Sequence, residues 1–450
     1  MRNLLILSCS LLFLNVSAQD HFSGINTSSK VGILNAGINP AELSNITSKY
    51  EFIVFSASVN AANNKVGFDD LINSDNIEDL IFAGDEPVNM RIDAEIYGPG
   101  FAMKMDKWVF GLSTKAYAKL TLEDVDSKLG EAINSGTIGS LFTGSTTINN
   151  DNNQRLNGTT WGEVGFSVAR NLFENEKHKF NAGTTLKLLF PGSYANFGAD
   201  KFHGTIEVSA GQAYLNDTDA TLNIAYSGNL ANSFTNFEDY SQSLFGKLNG
   251  FAVDFGLNYK WKDIDNYKVN AGISIRNIGG MTFEDTNNSS TNYELNIPPG
   301  TPLEPGLNLN QFENVDSLQE IETILQNSGY LTTTNSEKKF KVKLPTVFSA
   351  YADIKMVSRF FVTLYAQQKL GDDNKDDQVT TQNIFSVTPR FSLKNYEVYS
   401  SWASNEISGV TGGLGFRVYG FYLGSSSILT ALTSDTKQAD VYLGYRFGLK

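Results

Sequence analysis

Beyond residue 48 the chain is dominated by alternation of apolar and polar positions, in runs of about ten residues. Over 267–276 one face carries Val269, Ala271, Ile273 and Ile275, and the other Lys268, Asn270, Gly272, Ser274 and Arg276. Over 360–369, Phe360, Val362, Leu364 and Ala366 oppose Phe361, Thr363, Tyr365 and Gln367. Runs 179–188 and 441–447 repeat the pattern. A soluble sandwich alternates as well. Here the second face mixes Lys, Arg, Asn and Thr with Gly and Tyr, which fits a polar lumen behind a lipid-facing wall.

Very short connections (105–106, 173–177, 263–266, 357–358, 394–395) alternate with long polar ones (61–90, 120–158, 230–249, 279–340, 371–382). Membrane barrels do this, with tight turns at one end and long loops at the other. Threading upward from 50–60 gives about sixteen strands, ending downward at 439–448. The weakest are 409–417 and 419–424, which leaves fourteen as the alternative. The predicted fold is all-β: an antiparallel transmembrane outer-membrane β-barrel of 14–16 strands with an N-terminal plug segment. Its expected parts are a signal peptide at 1–18, a plug or hatch at 19–48 and the barrel at 49–450. Within the loops, 122–133 and 315–325 have helical spacing and are expected to cap the barrel mouth.

Composition narrows the function. The 450 residues carry a formal net charge of -13, which leaves no general attraction for nucleic acid. The one cysteine, Cys9, lies in the leader, so the mature chain is expected to hold no disulfide or thiolate metal site. That leader reads Met1-Arg2-Asn3, an apolar run over 4–14, then Val16-Ser17-Ala18, and cleavage is expected after Ala18. No later stretch approaches the ~20 apolar residues of a membrane helix. The expected location is the bacterial outer membrane.

Gly32 to Ala41, with Gly37 and Asn39-Pro40-Ala41, is turn-rich and precedes the first strand, a place from which it could fold into the lumen as a plug or gate. Its buried backbone groups would need partners, and the expected lumen-facing residues Asn270, Ser274, Arg276, Thr363 and Tyr365 are candidates. Asp372-x-Asn374-x-Asp376 opens like a calcium loop. The glycine and glutamate such a loop requires are replaced by Asp377 and Asn383, so a solvated acidic loop is expected. No nucleotide fingerprint, zinc motif or nucleophile elbow is present, and His21, His178 and His203 have no sequence-level partner. No enzyme activity, cofactor or bound metal is expected.

Tyr442-x-Gly444-x-x-Phe447-x-Leu449 resembles the C-terminal assembly signal of outer-membrane barrels, displaced by the final Lys450. It implies the barrel assembly machinery and outer-membrane lipid as partners. With Asn39-Pro40-Ala41, Lys343-Leu344-Pro345-Thr346 and Phe421-Tyr422-Leu423-Gly424-Ser425, the chain resembles an uncharacterised family of Bacteroidota outer-membrane barrels. The Asn-Pro-Ala element is also similar to that of long-chain fatty-acid transporters and of a related barrel of the type IX secretion system. Those resemblances imply fourteen strands and an N-terminal hatch. They imply a hydrophobic ligand in the first case and secretion-system partners in the second. The expected role is a passive, porin-like channel or receptor for a small solute, hydrophobic if it follows the fatty-acid transporters. The alternative is a non-transporting component of a secretion or cell-surface complex.

Overall fold

The computed structural model describes residues 21–73, 80–134, 145–209, 211–233, 244–263, 267–313, 315–433 and 436–450. The expected leader at 1–18 lies outside the described residues. Fourteen antiparallel strands form the wall. They are β1 (Tyr50–Asn63), β2 (Val88–Tyr97, continued by Gly100–Met105), β3 (Trp108–Val125), β4 (Gln154–Glu174) and β5 (His178–Ser209). Then follow β6 (Gly250–Lys262), β7 (Tyr267–Phe283), β8 (Val347–Val357, preceded by Phe340–Lys343) and β9 (Phe360–Lys369). The last are β10 (Ile384–Ser392), β11 (Tyr396–Asn405), β12 (Gly409–Val418), β13 (Phe421–Ser425) and β14 (Gln438–Leu449). β14 pairs with β1 from Tyr50↔Leu449 to Ala62↔Gln438, so the sheet closes without an edge.

The alternation maps onto the two faces of this wall. Val59, Ile96, Leu112, Leu257, Ile273, Leu364 and Leu414 are exposed on the outside, while Asn258, Asn270, Ser274, Thr363 and Tyr365 are buried on the inside. Exposed aromatics gather near the short turns (Trp108, Phe173, Trp261, Phe391, Tyr396, Tyr419) and again near the long loops (Phe251, Phe348, Trp402). An apolar band between two aromatic girdles is how a barrel wall meets a bilayer. No helix among the described residues is long and apolar enough to cross a membrane.

The structure corrects the count of sixteen to fourteen. Both strands taken as weakest, 409–417 and 419–424, are wall strands. The excess comes from strand-like sequence between Pro191 and Ser227, which adds none. β5 is 32 residues long, and only its first part, up to Leu189, pairs with β6. Its upper part rises past the wall and pairs with Gln212–Ser227, which pairs with Ser289–Ile297, itself paired with Leu331–Glu337. A sheet thus stands over the long-loop end of the barrel.

The outer face of that sheet is apolar. Leu222, Ile224, Tyr226, Tyr293 and Leu295 pack against the helix Leu318–Asn327 through Leu318, Ile321 and Leu325. Ser317 caps this helix by accepting from the Glu320 amide at 3.2 Å. The expected helix at 315–325 is therefore present, shifted by a few residues. The one expected at 122–133 is shorter: Leu122 to Val125 continue β3, and the helix is Ser127–Asn134. Pairing of Leu122 with Leu156 outweighs helical spacing there.

Candidate functional site

Residues 21–49 run along the inner face of the wall. Their apolar side chains Phe22, Ile25, Val31, Ile33, Leu34 and Leu43 are buried with the inward tyrosines Tyr97, Tyr399, Tyr422 and Tyr442. Phe22 meets Tyr97, Tyr422 and Tyr442 edge-on, at centroid distances of 5.6, 6.4 and 5.8 Å. The polar half is fixed by the wall strands. Asn39 accepts from the Ala41 amide (2.9 Å) and donates to the carbonyls of Leu257 (2.9 Å) and Ile273 (3.2 Å). Pro40 holds the turn and can stand this close to the wall because Gly183 and Gly256 offer no side chain beneath it. Buried Glu42 collects four neutral donors: Asn258 (2.8 Å), Asn270 (2.7 Å), Tyr351 (2.5 Å) and Asn45 (2.7 Å).

The remaining residues singled out from the sequence fall around this segment. Gly32 takes a φ of +56°, and the next amide, Ile33, donates to Glu51 at 3.1 Å. The Gly37 carbonyl accepts from Arg276 and the Ile38 carbonyl from Ser274, both at 2.7 Å. Thr363 donates to Asp353 (2.8 Å), and Tyr365 meets Arg276 and Gln367 and is buried in one cluster with Ile38 of the segment. Deeper toward the short turns, Arg390 bridges Asp353 (2.5 Å) and Glu397 (3.5 Å), and Arg417 reaches Glu397 at 2.6 Å. Ser28 of the segment donates to the same Glu397.

A second element enters from the loop end. Residues 371–382 turn inward, burying Gln378, Val379, Thr380 and Gln382. Their anchor is Arg155, fully buried, which donates to the Asp373 carbonyl (2.9 Å), the Gln378 carbonyl (3.2 Å) and Asn196 (2.9 Å). Tyr194 donates to the Asp376 carbonyl (2.7 Å), and Arg91 to Thr380 (2.9 Å). Two of the three candidate calcium ligands have protein donors of their own. Asp376 accepts from Asn153 and Asn196, while Asp372 accepts from the Asn374 amide. Among the described residues no cluster of His, Cys, Asp and Glu is arranged to hold a metal.

Between the two inserted elements lies a cavity of about 120 Å³. Five cations face it (Arg91, Lys115, Lys119, Lys187, Arg276) against three carboxylates (Asp93, Glu95, Glu163). Lys115 pairs with Glu95 (3.2 Å), Lys119 with Asp93 (3.4 Å), and Lys187 with Glu163 (3.7 Å) and Asp254 (2.9 Å). One wall is Trp161 stacked on Tyr117, with centroids 4.4 Å apart. Beyond the inward loop, a groove of about 710 Å³ lies under the inner face of the overhanging sheet. An asparagine ladder crosses that sheet: Asn157 donates to Asn196 (3.2 Å), Asn196 to Asn223 (2.9 Å) and Asn223 to Asn292 (2.7 Å).

The residues matched to an assembly signal divide between the faces. Tyr442 is buried and donates to the Ser23 carbonyl at 2.7 Å; Gly444 also faces inward, beside Tyr422. Phe447 stacks outside on Phe52, and Leu449 is exposed. Sequence reading missed Glu42, Asn258 and Tyr351, which hold the Asn-Pro-Ala turn, and Arg155, which holds the loop. Asn181, Asn258 and Asn270 all occupy inward phases of their strands, a signal present in the alternation. Arg155 gave none, because the loop carbonyls it binds lie 218 and 223 residues away.

A family model described as a family of unknown function, DUF5723, matches residues 40–426. A search of curated proteins finds no match. Among solved structures the chain is similar to a mutant of the TodX monoaromatic hydrocarbon channel, with a TM-score of 0.47 at 10% identity over 95% of this chain and 97% of that one. It is similar to the Ralstonia pickettii toluene transporter TbuX, with a TM-score of 0.42 at 10% identity over 97% and 100%. A Pseudomonas aeruginosa FadL homologue gives 0.41 at 8% identity over 96% and 98%.

Proposed function

This chain belongs to the DUF5723 family, a family of unknown function, and we propose that it is an outer-membrane protein for the passive passage of a small solute, shut in this conformation. The observation that supports the proposal is two inserted elements inside one barrel, which we read as closures in series. The N-terminal segment and the loop at 371–382 both lie inside the barrel, neither adds a strand to the wall, both are tied to it by side-chain hydrogen bonds (the loop also by one backbone bridge to Lys343), and a polar cavity lies between them. A wall held together by its own ladder can release either element without unfolding.

In this reading solute collects in the groove under the overhanging sheet. Movement of the inward loop admits it to the cavity, and movement of Gly32 to Ala41 opens the way below. The monoaromatic hydrocarbons named for the channels above are not carried over to this chain. Its cavity is lined by charge, and a hydrocarbon there would displace water from paired ions without replacing their solvation. A polar solute suits the lining better. Outer-membrane lipid and the barrel assembly machinery are the proposed partners, the latter through Tyr442, Gly444, Phe447 and Leu449.

The test is fractionation followed by reconstitution. The full chain is expected to sediment with outer membranes and to need detergent for release. In planar bilayers it is expected to give rare, brief openings. Recovery as a soluble protein without detergent would overturn the membrane assignment. A permanently silent bilayer, for the full chain and for a folded form with both closures removed, would overturn passage.

A further inference from the structure

The cavity between the closures has a chemical bias that the chain as a whole lacks. The protein carries a net charge of -13, yet cations outnumber carboxylates among the residues facing this space. Asp93 is shared by Lys119 at 3.4 Å and Arg91 at 3.8 Å, so one carboxylate serves two cations. The second observation is independent. Trp161 is 3% exposed, and its indole N–H has no hydrogen-bond partner among the described residues, although it lines the cavity. Arg91 is equally buried, and its Nε makes no hydrogen bond and has only the ion pair with Asp93 at 3.8 Å. A buried donor left unmade costs about 1–3 kcal/mol, so the Trp161 N–H beside a guanidinium held only by a long ion pair points to an acceptor that belongs there.

We propose that the cavity binds one small oxyanion, a carboxylate or a phosphate, through Arg91, Lys119 and the indole N–H of Trp161. The volume of about 120 Å³ suits a group of that size. Arg91 presents planar paired donors that match an oxyanion, Lys119 adds charge, and Trp161 supplies a neutral donor that fixes orientation. Arg91 also donates to Thr380 of the inward loop, so an occupied cavity and a closed loop share one guanidinium. The proposal deepens the passage reading by naming the solute class, and it rests on that reading for the anion's route in.

The experiment uses the full chain refolded into detergent with and without anion, so that entry does not limit binding. Inorganic phosphate and acetate are the probes, at constant ionic strength set with chloride. Trp161 is the buried tryptophan; Trp108, Trp261 and Trp402 are exposed on the outer wall. Saturable change in tryptophan fluorescence is expected with one or both probes, and the probe that binds identifies phosphate or carboxylate. Trp161→Phe keeps the ring stack, removes the N–H and should abolish the signal. In calorimetry it should weaken binding about tenfold, the equivalent of one ~1.4 kcal/mol hydrogen bond. Arg91→Gln should weaken it at least as much. Retained heat-modifiable mobility on electrophoresis certifies the fold, and if Arg91→Gln fails that check Trp161→Phe decides alone. No saturable binding by either probe, or unchanged affinity in Trp161→Phe, overturns the proposal. Binding in a protein that never conducts would overturn passage and leave the site. Conduction without binding would do the reverse.

Discussion

A missing methyl group sets how closely the N-terminal segment can lie on the wall. A Cβ at Gly256 would stand 2.0 Å from Asn39 Oδ1 and 3.0 Å from Pro40 Cδ, and Asn39 cannot swing away without leaving the Leu257 and Ile273 carbonyls. Gly256→Val should therefore expel the Asn-Pro-Ala turn while keeping the outward alternation of β6 intact. Asn39→Ala should loosen the same turn without adding bulk, at about 1 kcal/mol for each bond lost. Both variants are expected to keep the heat-modifiable barrel and to gain tryptic cleavage at Lys30. Protection equal to the parent in both would show that this turn does not hold the segment. On the outer face the scale is set by lipid. Ile273 is exposed there, and Ile273→Arg should cost about 2–4 kcal/mol near the bilayer midplane. Leu303→Arg, in an exposed loop, should cost close to nothing. Urea unfolding from lipid vesicles measures both, and equal losses would remove the lipid-facing assignment.

At the scale of elements, the inward loop has its largest set of bonds from one side chain. Arg155→Gln removes the donors to two loop carbonyls and leaves Asp376 without its ion pair at 3.8 Å. The loop is expected to leave the lumen, seen as faster trypsin cleavage at Lys375, with β9 and β10 still paired. An unchanged cleavage rate would mean that Tyr194, Arg91 and Lys343, which bonds Asp377 and Val379 through its backbone and Asp377 through its ammonium, suffice to hold it. A loop of this kind is hard to read from sequence. Alternation told inward from outward in β7 and β9, and the alternating loop lengths gave the up-and-down barrel. Neither reveals what an inward position meets. Asn270 reads from sequence as a lumen-facing partner for the segment's backbone, and in the structure it is fully buried against the Glu42 side chain instead. The overhanging sheet misled the strand count because its strands alternate as wall strands do. Its apolar face lies against a helix instead of lipid. That sheet carries its own pH response. Tyr226 and Tyr293 both donate to Glu322, and burial first, then the glutamate, pushes each phenol up to about 12. The folded sheet thus holds these protons more tightly than the unfolded chain, whose phenols titrate near ~10. The stabilisation is complete below pH ~10 and is lost as pH rises toward 12. Hydrogen exchange should report loosening of 212–227 and 289–297 in that window before the wall responds, and Glu322→Gln should shrink the effect.

At the scale of the whole molecule, the wall and its contents are separable. Fourteen strands close on themselves through β1 and β14, and residues 21–49 contribute no strand to that ladder. Deleting 24–45 should leave a barrel, less stable because Tyr97, Tyr399, Tyr422 and Tyr442 lose their apolar partners. Its effect on conductance follows from the order of the closures. Two blocks in series pass current only when both are open, so the deletion alone should raise conductance little, because Arg155 still holds the loop across the lumen. Arg155→Gln alone should likewise be nearly silent, because the Asn-Pro-Ala turn still fills the lower lumen. The two changes together should open the pore by far more than the sum of the separate effects. Independent, additive effects would mean that the elements guard different routes. A double variant as silent as the parent, in a barrel that keeps its heat-modifiable mobility, would mean that the lumen is not a route at all, and the passage reading would fall with it.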